Sequence, residues 1–125
     1  MNDTSFPRLP FIKREKKPRE KGINYVRAPV TVGTCIDDYL EAYGSLVDIF
    51  KISAKQGAQM SKKSLLRFIK TCKNYEVKIA LGNPVMDVAL SAGKEIVDDF
   101  LDTVVGLGID IVEVSSISAA SATCA

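Results

Sequence analysis

No histidine occurs in the sequence, so the commonest protein ligand for a transition metal is missing and a Cys/His zinc site cannot be assembled. Cysteine is scarce too. Cys35, Cys72 and Cys124 are odd in number and widely spaced, which predicts free or buried thiols rather than a disulfide framework or metal site. No apolar run approaches the roughly 20 residues that a membrane-crossing helix needs. Met1 to Pro10 is polar and interrupted by Pro7 and Pro10, so it contains no apolar signal core. These absences argue against a membrane partner and predict a cytoplasmic protein.

What is present suits one globular domain: 125 residues, 46% hydrophobic and 26% charged. The net charge of +2 is unevenly placed. Residues 1–22 hold seven Lys/Arg against three Asp/Glu, a net of +4, and the remainder holds ten against twelve, a net of −2. The stretch Lys13-Arg14-Glu15-Lys16-Lys17-Pro18-Arg19-Glu20-Lys21 lacks interleaved aromatics and is diluted by its glutamates. It predicts a solvated or phosphate-facing segment, and argues against nucleic acid as a partner.

The chain is organised around Val47-Asp48-Ile49-Phe50-Lys51-Ile52-Ser53, a buried-type strand rich in β-branched residues that carries one cation, Lys51, to its far end. Glu76–Leu81 and Ile109–Ser115 share this character, and Ile23–Ala28 is a weaker first strand. Helical patterns separate them. Thr34 is positioned to cap a helix from Cys35 to Tyr43, with Gly44 as its stop. Ala54–Gln59 reads as a loop. Ser61 opens a second helix whose core face is Leu65, Leu66, Phe68, Ile69 and Cys72, ending at Asn74. Pro84 opens a short helix, and Gly93 separates it from a stronger one, Glu95 to Val105, with Ile96, Val97, Phe100, Leu101 and Val104 inward. Residues 1–12 read as disordered, 13–115 as the folded domain, and the Ser/Ala-rich 116–125 as a tail unrelated to the fold.

Strands alternating with helices predict an α/β fold with a parallel sheet. Starts near 23, 47, 76 and 109 match the unit length of a TIM-type (β/α)₈ barrel, of which this chain holds about half. Catalysis in such barrels gathers at the C-terminal ends of the strands, where Lys51, Ser53, Gly82, Asn83, Glu113 and Ser115 fall. A lysine and a glutamate on that rim suit an anionic substrate and a divalent cation, or acid-base work. They also suit simple pairing with each other.

The ordered set Lys17-Pro18-Arg19 with Gly22, Asp38-Tyr39-Leu40-Glu41 with Gly44, Val47-Asp48-Ile49-Phe50-Lys51, and Val112-Glu113-Val114-Ser115 resembles the phosphosulfolactate synthase family, which includes plant heat-stress relatives. The resemblance covers about Lys13 to Ser115 and the first half of a family member. It implies a (β/α)₈ barrel that adds sulfite to phosphoenolpyruvate with Mg²⁺, giving phosphosulfolactate for coenzyme M biosynthesis. Lys17 and Arg19 would then hold substrate phosphate or carboxylate. Lys51 would bind substrate or deliver a proton, Glu113 would bind Mg²⁺ or act in acid-base steps, and Ser115 would contact substrate. Where the family has an acid at the end of its first strand, this chain has Arg27-Ala28-Pro29, which marks Ala28 as the place to restore one. The alternative is a truncated, non-catalytic relative that binds a partner. Half-barrels closing on each other as a homo-oligomer would supply the missing strands.

Overall fold

The structure is a computed structural model that describes residues 5, 6, 8–10, 13–29 and 35–114. Thr34, Ser115 and the 116–125 tail lie outside the described residues, as does most of the 1–12 segment. Four strands, β1 (Tyr25–Arg27), β2 (Ile49–Ile52), β3 (Lys78–Leu81) and β4 (Ile111–Val112), form one sheet in the order β1-β2-β3-β4. Every pairing is parallel. A doubly wound sheet reverses its strand order at a switch point. This one winds in a single direction, which makes it half of a (β/α)₈ barrel.

The helices are α1 (Cys35–Tyr43), α2 (Ala54–Gln59), α3 (Lys62–Asn74), α4 (Pro84–Ala92) and α5 (Lys94–Leu107). Among the described residues no helix is long and apolar enough to cross a membrane. Side chains of a strand alternate between faces, and in β2 Phe50 and Ile52 are buried while Ile49 and Lys51 are half-buried. The register carries that alternation across the sheet, so Val26, Ile79, Leu81 and Val112 share the face of Phe50 and Ile52. This face meets the helices. Ile36 and Leu40 of α1, Leu65, Phe68, Ile69 and Cys72 of α3, and Val104 of α5 complete the core. The Phe50 ring lies 5.8 Å from that of Tyr39 and 6.5 Å from that of Phe68. Each such apolar side chain contributes about 1.5–3 kcal/mol by leaving water.

Several expectations need correction. Ala54–Gln59 is a helix, because the Ser53 hydroxyl caps it by accepting from the Gln56 N–H at 3.2 Å. Leu66 is exposed, beside the stripe formed by Leu65, Phe68, Ile69 and Cys72. α5 meets the core through Phe100, Val104 and Leu107, and Ile96 and Leu101 fall outside that stripe and are exposed. Gly44 does follow the last residue of α1, as expected of its stop, but without a left-handed conformation. It opens a 3₁₀ turn, Gly44–Leu46, and a Cβ there would stand 2.9 Å from Cδ1 of Tyr75, so close packing is what requires glycine. Gly108 is the left-handed cap, with φ of +87° after α5.

Candidate functional site

Among the described residues no helix covers the other face of the sheet. By the same alternation it presents Tyr25 and Arg27 from β1, Ile49 and Lys51 from β2, Lys78 and Ala80 from β3, and Ile111 with Glu113 at the end of β4. Arg27, Lys51, Ala80 and Ile111 are in register across the four strands. Lys51 reaches past β3, where its neighbour is only a methyl group, to place Nζ 2.9 Å from Oε2 of Glu113. The two residues singled out at the rim are therefore brought together. Glu113 is anchored in turn by its own N–H, which donates to the Leu81 carbonyl at 3.0 Å.

The second oxygen of Glu113 has a partner that sequence reasoning missed. The Tyr25 hydroxyl donates to Oε1 at 2.5 Å. β1 and β4 are the outer strands, and three inter-strand steps of a flat sheet span about 14 Å. Contact between them shows that the sheet curls toward this open face, as a barrel wall does. Strand alternation was the available signal, since it puts Tyr25 on the face of Arg27, but the partner lies 88 residues away. The Tyr25 hydrogen bond, then that of Lys51, hold the Glu113 carboxyl below its ordinary range against some burial. Burial, then Glu113, push the Tyr25 phenol up to about 12.

Lys17 and Arg19 are elsewhere. Both lie at the N-terminal ends of the strands, opposite the Lys51 rim. Lys17 donates through Nζ to the carbonyl of Tyr75 at 2.9 Å, just before β3. Arg19 pairs with Oδ1 of Asp48 at 2.7 Å, and Arg14 with Oδ2 at 3.0 Å, just before β2. The Asn24 N–H also donates to Oδ2, at 2.8 Å. Burial pushes the Asp48 carboxyl up, but Asn24 and the two guanidinium groups outweigh it and hold the group below the usual range. The basic segment is thus a strap that ties the base of the sheet. Ser115 lies outside the described residues.

Next to the rim, an open cavity of about 630 Å³ is lined by residues that include Arg27, Ser53, Lys55, Gln56 and Ser61, and among the described residues by no carboxylate. It favours an anion. For a divalent cation the donor set is thin: among the described residues no three acidic, cysteine or histidine side chains converge. Among the described residues Glu113 is the one carboxylate on this face. Magnesium commonly takes one or two carboxylates and completes its shell with water and substrate oxygens. The residues therefore fit Mg²⁺ only in company with a bound oxyanion.

A sheet wound one way, with helices on one face and a charged pair at the strand ends of the other, defines a protein of the (β/α)₈-barrel class. Within that class the family is specific: residues 12–121 match the sequence model of (2R)-phospho-3-sulfolactate synthase (ComA), and the chain belongs to that family. Comparison with curated proteins returns no match.

Proposed function

We propose that the rim of Lys51 and Glu113 serves the addition of sulfite to phosphoenolpyruvate, giving (2R)-phospho-3-sulfolactate. The observation that carries this reading is the 2.9 Å Lys51–Glu113 pair on the open face of the sheet, at the strand ends where such barrels work. Family membership supports it. In this addition the sulfite sulfur forms a bond to C3 of the enol, and the electron pair of the C2–C3 double bond moves into the carboxylate. The resulting enediolate takes up a proton at C2.

Lys51 supplies a compact positive charge for the substrate carboxylate or phosphate, and an N–H as the source of the C2 proton. Arg27, its neighbour in register, extends the positive field toward the adjacent cavity. Ser115 belongs to the proposal as a polar contact at the end of β4. Mg²⁺ would be held by Glu113 together with substrate oxygens, where it would neutralise charge gathering on the carboxylate. Lys17 and Arg19 are assigned to the opposite end of the sheet and not to substrate.

Coenzyme M biosynthesis and a cytoplasmic setting belong to the same proposal. So does a homo-oligomer, because β1 and β4 are the outer strands of a four-stranded sheet. The test is direct. The purified chain is incubated with phosphoenolpyruvate, sulfite and Mg²⁺, and the products are followed by ³¹P NMR and mass spectrometry. Phosphosulfolactate that forms with the chain and not with its Lys51→Ala variant supports the reading; a folded chain that forms none overturns it.

A further inference from the structure

We infer that Glu113 is an internal anion that occupies the binding position of Lys51, and that an external oxyanion enters by displacing it while Tyr25 keeps the released carboxylate at the rim. The inference rests on the assignment of substrate charge to Lys51 and adds how the site opens. Among the described residues, the ion pair with Glu113 is the single ion pair of Lys51. A phosphate, sulfate or carboxylate oxygen that approaches Nζ meets a charge already matched by Oε2 and competes with it for that cation. Both side chains are partly open to solvent, 34% and 26%, so exchange requires no opening of the core. Ion pairs at that exposure are weak and give way to competing ions.

The surroundings favour the exchange. Arg27 and Lys55 line the neighbouring cavity, and among the described residues that cavity has no carboxylate and neither cation forms an ion pair. Arg27 stands beside Lys51 in register. An anion that replaces Glu113 at Lys51 therefore meets further positive charge that Glu113 leaves unmatched. The displaced carboxylate retains its 2.5 Å hydrogen bond from Tyr25 through Oε1, so Oε2 alone is freed. A cation then has a carboxylate oxygen that it lacked before.

Anion and divalent cation are thus coupled. Either ligand alone competes with the Lys51–Glu113 pair, whereas the two together break it once. By linkage, each strengthens the other by the same factor.

The experiment titrates sulfate, whose charge is fixed near neutral pH, into the 125-residue chain by calorimetry, in EDTA and in Mg²⁺. Glu113→Gln keeps an acceptor for Tyr25 and removes the competing charge. Without Mg²⁺ it is expected to bind sulfate about fivefold or more tightly than the native chain, and Lys51→Ala to lose the binding. Mg²⁺ is expected to tighten sulfate binding to the native chain by a similar factor and to leave Glu113→Gln unchanged.

Sulfate binding by Glu113→Gln that is equal to or weaker than native overturns the inference, as does binding that survives Lys51→Ala or is absent from both native chain and Glu113→Gln. Tyr25→Phe gives a second measure that retains the ion pair. A smaller Mg²⁺ effect than native supports the anchor, and an undiminished one overturns it. Sulfate is not the proposed substrate, so an intact exchange without phosphosulfolactate formation sinks the reaction alone.

Discussion

Tyr25 and Glu113 are joined by a 2.5 Å hydrogen bond between the first strand and the residue that follows the fourth. One contact thereby ties the two outer strands across the face that carries Lys51. Its two groups shift in opposite directions, the phenol up to about 12 and the carboxyl below its ordinary range.

Stability should report both shifts. The folded pKa of Glu113 is depressed, so its contribution is complete above the unfolded value of about 4.3 and fades as pH falls through the folded value. That of Tyr25 is raised, so its contribution is complete below the unfolded value of about 10 and fades as pH rises through about 12. Tyr25→Phe is expected to cost about 0.5–1 kcal/mol at pH 7, a modest figure because the pair is partly exposed. Urea titrations should show that difference flat from about pH 5 to 9 and shrinking at both extremes.

Asp48 makes the larger claim on stability. It is 8% exposed and matches two guanidinium groups and a backbone N–H. Asp48→Asn keeps an acceptor for Asn24 and leaves Arg14 and Arg19 without their counter-charge. Breaking a buried pair from one side costs about 3–5 kcal/mol, and exposure of Arg14 places the expectation at about 3. The exposed Lys94–Asp98 pair provides the contrast, since Lys94→Ala should cost under about 0.5 kcal/mol. Urea midpoints of the two variants decide it. Because the Asp48 carboxyl is held low, the native advantage over Asp48→Asn is present above about pH 4 and is lost as pH falls through the folded value.

Local signals carried the fold. Helix α1 spans the residues that its three- and four-residue apolar spacing marks, and Ser61 caps α3 as its place before Lys62 predicts, accepting from the Ser64 N–H at 3.2 Å. The strands are shorter than their apolar runs because pairing ends where a neighbour does. α2 was illegible: six residues with a central Gly57 cannot show an apolar stripe, and Gly57 is there because a Cβ would stand 2.6 Å from Cδ1 of Leu81. That Lys51 and Glu113 lie on one rim and can pair was legible from their places at strand ends. The Tyr25 contact was not, since it depends on sheet curvature, and Lys17 and Arg19, for which the family resemblance implies a substrate role, make their contacts at the other end of the strands.

Cysteine reactivity separates surface from core. Cys72 is fully buried, and burial pushes its thiol up to about 12, whereas Cys35 is exposed. The thiolate is the reactive species. Iodoacetamide applied to the native chain at pH 8, followed by peptide mapping, should label Cys35 and spare Cys72, and urea should make both accessible. Labelling of Cys72 at the rate of Cys35 in the native chain would contradict the packing of α3 on the sheet.

The missing acid of the first strand bears on which residue can reach the rim. Ala28 is 5% exposed and lies on the helix-facing side, with its N–H donating to the Lys51 carbonyl at 2.8 Å. A carboxylate there would enter the core and not the site, so Ala28→Asp is expected to lower stability by several kcal/mol, about 3 or more, and to confer no Mg²⁺ binding. Arg27 is the position that faces the rim. Arg27→Asp is exposed and should fold normally, weaken sulfate binding by removing the charge beside Lys51, and strengthen Mg²⁺ binding by adding a second carboxylate near Glu113. Thermal melts and paired Mg²⁺ and sulfate titrations of the two variants distinguish these outcomes. A stable Ala28→Asp variant that gains Mg²⁺ would mean that the end of β1 is turned the other way, with residue 28 and not residue 27 beside Lys51.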